Sequence, residues 1–112
     1  MGIDVPADVV AEMNRLRVLS EKGVQAVFDA EVKFAEAEMA LDTAYAKAFI
    51  RHEGNTVALR EQLAALDTAD VRLQRDIARA ELNRVKLKMK TISDDLMAVS
   101  VIGKHIEMMW KG

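Results

Sequence analysis

The chain has 112 residues, of which 51 % are hydrophobic and 30 % charged, with a net charge of −2 and no cysteine. That length is room for one domain at most. The charge balance excludes bulk attraction to nucleic acid or to an anionic membrane, and the lack of cysteine excludes a disulfide framework, a thiolate zinc site and a Cys nucleophile. Alanine occurs 17 times, glycine five times and proline once, so the composition favours helix from end to end.

The N-terminal stretch MGIDVPADVV carries Asp4 and Asp8 before any base, which argues against a secretory signal. Pro6 stands where a myristoylation motif needs Ser or Thr. In the C-terminal half the longest uncharged stretch is Leu96 to Gly103, eight residues. That is far short of the roughly 20 needed to cross a bilayer. No membrane partner is expected, and a reducing, cytoplasmic setting fits the absence of cysteine.

A first helix is predicted over residues 5–52. Alternating steps of four and three from Val9 reach Met13, Leu16, Ser20, Gly23, Val27, Ala30, Phe34, Ala37, Leu41, Ala44 and Ala48, none of them charged. A second, adjacent track reads Val24, Phe28, Val32, Ala35, Met39, Asp42, Ala46 and Phe49. One seam needs only the first track. The second therefore points to a further neighbour, and Val24, Phe28, Val32, Met39 and Phe49 are the candidate self-association residues.

The apolar pattern stops at Ile50 and resumes at Val57. Gly54 suits the left-handed residue that ends a helix, and Asn55 or Thr56 can cap the next. A turn over 53–56 forces an antiparallel return, with residue i opposite about 109 − i. A second helix is predicted over 57–110. Leu59, Leu63, Leu66, Leu73, Ile77 and Ala80 follow one register, with Asp70 as its charged member. Leu82, Val85, Met89, Ile92, Leu96, Val99, Gly103, Ile106 and Trp110 follow another, which implies a slip near 77–82. Candidate breaks lie near 20–23, at Gly23, and near 91–93, where Thr91 to Asp94 has capping-box spacing. The expected fold is all-α: a single long antiparallel hairpin, coiled-coil-like, assembling as a homodimer or higher into a four-helix bundle.

Charge is uneven along the arms. Residues 28–42 hold Asp29, Glu31, Glu36, Glu38 and Asp42 against Lys33, while Arg72, Arg75 and Arg79 lie on the returning arm. Complementary pairing across the seam is the plain reading. Arg15, Arg17, Lys22, Arg84, Lys86, Lys88 and Lys90 exceed the acids opposite them and form a candidate nucleic-acid or anion contact. No aromatic is interleaved among them to stack bases.

Little else suggests chemistry. His52 and Glu53 are adjacent, so on a helix they point about 100° apart, and no group is evident to orient the ring. Asp94-Asp95 is a lone acidic pair, and no glycine-rich phosphate loop occurs. No catalytic, cofactor-binding or metal-binding residue is expected. Met108, Met109 and Trp110 are a candidate docking patch for an unidentified protein, since methionine gives an adaptable apolar surface.

The block Tyr45-Ala46-Lys47-Ala48-Phe49, then Glu53-Gly54, then Ala78-Arg79-Ala80-Glu81-Leu82 resembles small bacteriophage-encoded coiled-coil proteins, mostly of unknown function. The likeness covers about residues 40–110. In that group the turn usually reads Gly-Ser with a glutamate completing the cap. Here Asn55-Thr56 is followed by Val57-Ala58-Leu59. The resemblance implies a phage or prophage origin, residence in the bacterial host cytoplasm, and an accessory role in DNA metabolism. It supplies no catalytic residue.

Overall fold

The structure is a computed structural model that describes residues 5–111. It is an all-α helical hairpin of three helices: α1 spans Pro6–Arg51, α2 Val57–Asp67 and α3 Ala69–Lys111. No strand occurs among the described residues. The chain divides into two compact units, residues 5–27 with 85–111 and residues 28–84.

The start of α1 is written in its first residues. Pro6 occupies the first turn, where its missing N–H is not needed. The Val5 N–H donates to Asp8 Oδ2 at 3.3 Å, and the Asp8 N–H returns to the Val5 carbonyl at 3.0 Å. This is half of a capping box, with an acid in the first turn that also suits the helix dipole.

Along α1, all twelve residues of the first predicted track are buried or half-buried. The helix does not break at 20–23. Gly23 is a packing residue rather than a stop, since a Cβ there would run into the Met89 thioether. Nor does α3 break at 91–93. The Thr91 hydroxyl donates to the Leu87 carbonyl at 3.2 Å, and Asp94 accepts from Lys90 at 3.1 Å, so neither side chain caps a new helix.

The interruption falls instead at Thr68, which the apolar pattern does not mark. Its side chain is buried. Its hydroxyl donates to the Ala64 carbonyl at 2.7 Å, and its N–H reaches the same oxygen at 3.1 Å. Threonine can thus satisfy its own polar groups inside the seam while separating α2 from α3. From there the inward residues of α3 are Val71, Arg75, Ala78, Leu82, Val85, Met89, Ile92, Leu96, Val99, Gly103 and Ile106. Their steps of four and three are unbroken, so the expected slip near 77–82 does not exist.

The unit of residues 5–27 and 85–111 is built on large apolar side chains. Val9, Leu16, Val99 and Ile106 form a buried cluster, with Met13 and Leu96 packed against it. Gly103 admits Val9, whose Cγ1 would lie 2.8 Å from a Cβ at that glycine. Trp110 continues the α3 spacing but is exposed, as the last full turn of its helix.

The unit of residues 28–84 has a thinner interior. Its fully covered residues are Ala48 and Ala64, with Ala30, Leu41, Leu82 and Thr68 nearly so. Its turn follows the residues closely. Gly54 has φ +96°, as a helix-ending glycine should. Thr56 caps α2 by accepting from the Leu59 N–H at 3.3 Å. Asn55 serves the other side of the turn, donating to the His52 carbonyl at 3.1 Å.

The arms face each other in a shifted register. Met89 meets Gly23 and Val9 meets Gly103, so in that unit residue i faces about 112 − i instead of 109 − i. In the other unit Arg79 lies over Phe34, an equivalent offset. The difference is close to one helical turn.

Candidate interaction surfaces

The end of α1 is clasped by α2. Asp67 Oδ2 lies 2.7 Å from His52 Nε2 and accepts from Arg51 Nη2 at 3.1 Å. Seven residues earlier, Arg60 donates from Nε and Nη2 to the Phe49 carbonyl at 3.1 and 2.9 Å. Its guanidinium carbon also stands 3.9 Å from the Phe49 ring centroid, and Tyr45 stacks on the same ring at 6.4 Å. Two turns of α2 are therefore tied to one turn of α1. An arm running in strict antiparallel register would carry Asp67 about 10 Å away from His52.

This corrects the sequence reading of His52, which does have an orienting carboxylate. The His52 ring and the Arg51 guanidinium hold the Asp67 carboxyl below its usual range, His52 contributing most. The hydroxyls beside the pair are already engaged, Thr56 as a cap and Thr68 with Ala64. The constellation works as a polar clasp that closes the turn.

The outer face of α1 carries the second apolar track. In the unit 28–84, Phe28 is 58 % and Met39 72 % exposed, with Val32, Ala35 and Ala46 exposed between and beyond them. Phe49 is half-buried under Arg60, so of the candidate association residues in this unit it is the one turned inward. Val24 belongs to the other unit and is exposed there. An open groove of about 470 Å³ runs beside Met39, lined by Glu36, Ala40, Thr43, Ala44 and Lys47.

A second outer face was misread from sequence as seam. Leu59, Leu66, Leu73 and Ile77 are all exposed, Leu66 to 73 % and Leu73 to 57 %. Leu59, Leu66 and Leu73 recur every seven residues. The spacing is that of a helix seam, but the row lies on the outside. The true seam was hidden because it includes Thr68 and Arg75, residues that hydropathy counts as outward. Arg75 lies along the seam with its head group on Asp76 Oδ1 at 2.8 Å.

The expected cross-seam pairing of charges is not realised. Glu31, Glu36, Glu38 and Asp42 make no ion pair, and neither do Arg72 and Arg79. The guanidinium of Arg79 sits 5.4 Å from the Phe34 ring centroid instead.

The seven bases predicted as an anion contact are not one cluster. Arg15 is bound by Glu12, Arg84 by Glu81 at 2.7 Å and Lys90 by Asp94 at 3.1 Å, each within its own helix. These pairs lower the carboxyls of Glu12 and Glu81 and raise the guanidinium values of Arg15 and Arg84 through the hydrogen bonds between them. Arg84 belongs to the unit 28–84 and the other six to its counterpart. Lys86 and Lys90, four residues apart, share a face of α3, while Lys88 points to the opposite side. Arg17, Lys22, Lys86 and Lys88 are exposed and make no ion pair among the described residues.

At the end of α3, Met108, Met109 and Trp110 are all exposed. Beside them Lys111 binds Glu107 at 2.7 Å, lowering the Glu107 carboxyl. Among the described residues no group of three His, Cys, Asp or Glu is placed to hold a metal ion. No described helix is long and apolar enough to cross a membrane. No protein-family model, curated protein or solved structure matches the chain.

Proposed function

We propose that this protein is a non-enzymatic helical interaction module, a phage or prophage accessory factor of the bacterial cytoplasm that acts by docking on other proteins, itself included. The observation behind this reading is the apolar surface of the unit 28–84. Phe28, Val32 and Met39 on α1, and Leu59, Leu66, Leu73 and Ile77 on α2 and α3, are exposed at helical spacing. Contiguous exposed apolar surface of this kind marks contact sites. The phage assignment rests on the block from Tyr45 to Leu82 and on nothing else.

The test is the state of association. Light scattering at tens of micromolar is expected to give a dimer or larger species. Met39→Glu and Leu73→Glu are each expected to reduce it without loss of helix by circular dichroism. A monodisperse monomer at that concentration overturns the self-association reading.

A second reading, a nucleic-acid-associated accessory protein, draws support from Arg17, Lys22, Lys86 and Lys88, which have no carboxylate partner among the described residues. Binding to single- and double-stranded DNA would weaken steeply as salt rises. It would also fall when Arg84, Lys86, Lys88 and Lys90 are changed to Glu. Absence of binding at low salt ends this reading.

A further inference from the structure

We infer that Met89 is the oxidation-sensitive point of this fold: conversion of its thioether to the sulfoxide by a peroxide unseats it from Gly23 and loosens the unit of residues 5–27 and 85–111.

Gly23 stands in the interior of the 46-residue α1, where glycine weakens a helix. What it supplies is room. A Cβ at Gly23 would meet three atoms of Met89, Sδ nearest and Cε and Cγ at 3.0 and 3.2 Å. The sulfur is thus the atom that fills the seat. The second glycine seat of this unit, at Gly103, is filled by hydrocarbon, Val9 Cγ1. The methionines differ in the same respect. Met39, Met97, Met108 and Met109 are exposed, so an oxygen added to any of them stays in water. Met13 packs against the cluster of Val9, Leu16, Val99 and Ile106. Met89 is half-buried, which leaves it within reach of a small oxidant while it forms part of the seam.

The chemistry is oxygen transfer. A sulfur lone pair takes one oxygen of the peroxide, the O–O bond breaks and an S–O bond forms. Sulfur is oxidised by two electrons, and the peroxide is reduced to water or an alcohol. A flexible apolar side chain becomes a polar one with a fixed configuration at sulfur. The next inward residues of the seam are Val27 on α1 and Val85 and Ile92 on α3, whose side chains offer the new oxygen no hydrogen bond. Ser20, three residues before Gly23, carries the one seam hydroxyl of this stretch. The oxide is hydrated when the side chain turns out to solvent, and that movement empties the seat at Gly23.

The experiment treats the full chain with hydrogen peroxide. Sulfoxide at each methionine is read by mass spectrometry of its peptides, and melting is followed by circular dichroism before and after treatment. The parent chain is expected to melt roughly 5 °C or more lower once Met89 is oxidised. Met89→Leu keeps an apolar side chain without the sulfur, and its own melting is expected to be little changed by peroxide. Met13→Leu is expected to keep the full loss. If Met89 is oxidised and melting does not move, the seam accepts the oxide, with Ser20 as its donor, and the inference is wrong. It is equally wrong if Met89 stays reduced while Met39 and Met97 are fully oxidised, because the seat then shields the sulfur. A loss in Met89→Leu as large as in the parent places the sensitive point at another methionine.

Discussion

The two units share a helix pair and differ in what fills the seam between its helices. In the unit of residues 5–27 and 85–111, Val9, Leu16, Val99 and Ile106 fill the seam, and glycines at 23 and 103 make room for Met89 and Val9. In the unit 28–84 the covered residues are Ala30, Ala48 and Ala64 with Leu41, Leu82 and Thr68, and large apolar residues stand outside in both units, Phe28, Met39, Leu66 and Leu73 in this one and Val24, Leu87 and Met97 in the other. The first unit is held by burial of its own side chains. The second adds a polar clasp at its turn to a seam of smaller side chains. Similar hydropathy in the two halves therefore fills two different seams, one with large branched side chains and one with small and large mixed.

The sharpest way to break this comparison is Leu16→Ala. Leu16 is 2 % exposed, so the truncation should cost about 2–5 kcal/mol in denaturant unfolding. A cost near zero would mean that the first unit has no real core. Next, Gly103→Leu should destabilise by about 1–3 kcal/mol, because the added atoms must displace Val9, whose branched side chain cannot swing aside. At the turn of the second unit, Gly54→Val should lower stability by about 1–2 kcal/mol. No atom lies within 4 Å to clash, so the whole cost is a branched residue forced to φ +96°. No change in melting would show that the chain does not turn at Gly54.

A smaller effect follows from the clasp. The Asp67 carboxyl is held below its usual range when folded, chiefly by His52 and then by Arg51. The unfolded chain binds that proton more readily, so stability rises with pH through this window. The contribution is fully present above the ordinary carboxylate range near pH 4 and is lost as pH falls through the depressed value. Asp67→Asn should flatten the acid side of the stability profile. Glu12, Glu81 and Glu107 shift in the same direction and will keep part of the slope. An unchanged profile would show that the clasp is not made in solution. The smallest expected effect is Leu73→Ala in dilute protein, within about 0.5 kcal/mol, since Leu73 is exposed. A cost like that of a core leucine would return Leu73 to the seam.

Much of the fold was legible in residue order. The α1 seam is continuous and uncharged, so period alone marks it, and Gly54 with Thr56 can do little else but end one helix and begin the next. The α3 seam from Leu82 to Ile106 was legible for the same reason. Between residues 59 and 80 the pattern misled, because two heptad rows overlap and the more apolar one faces outward. Of the candidate surfaces, the α1 row was visible as surplus hydrophobicity, whereas the α2–α3 row was visible only as a false seam.

Sequence by itself determined that the chain is helical, where it folds back, and which side of α1 is inside, because those follow from local propensity and a period that only one face satisfies. Tertiary structure alone decided the break at Thr68, the contact of His52 and Arg60 with the opposite helix, and the one-turn shift of the arms. The contacts of His52 and Arg60 and the shift of the arms depend on residues distant in the chain meeting in one place. The buried Thr68 and the half-buried Arg75 are tolerated in the seam because a neighbour along the chain, the Ala64 carbonyl or the Asp76 carboxylate, accepts their hydrogen bonds.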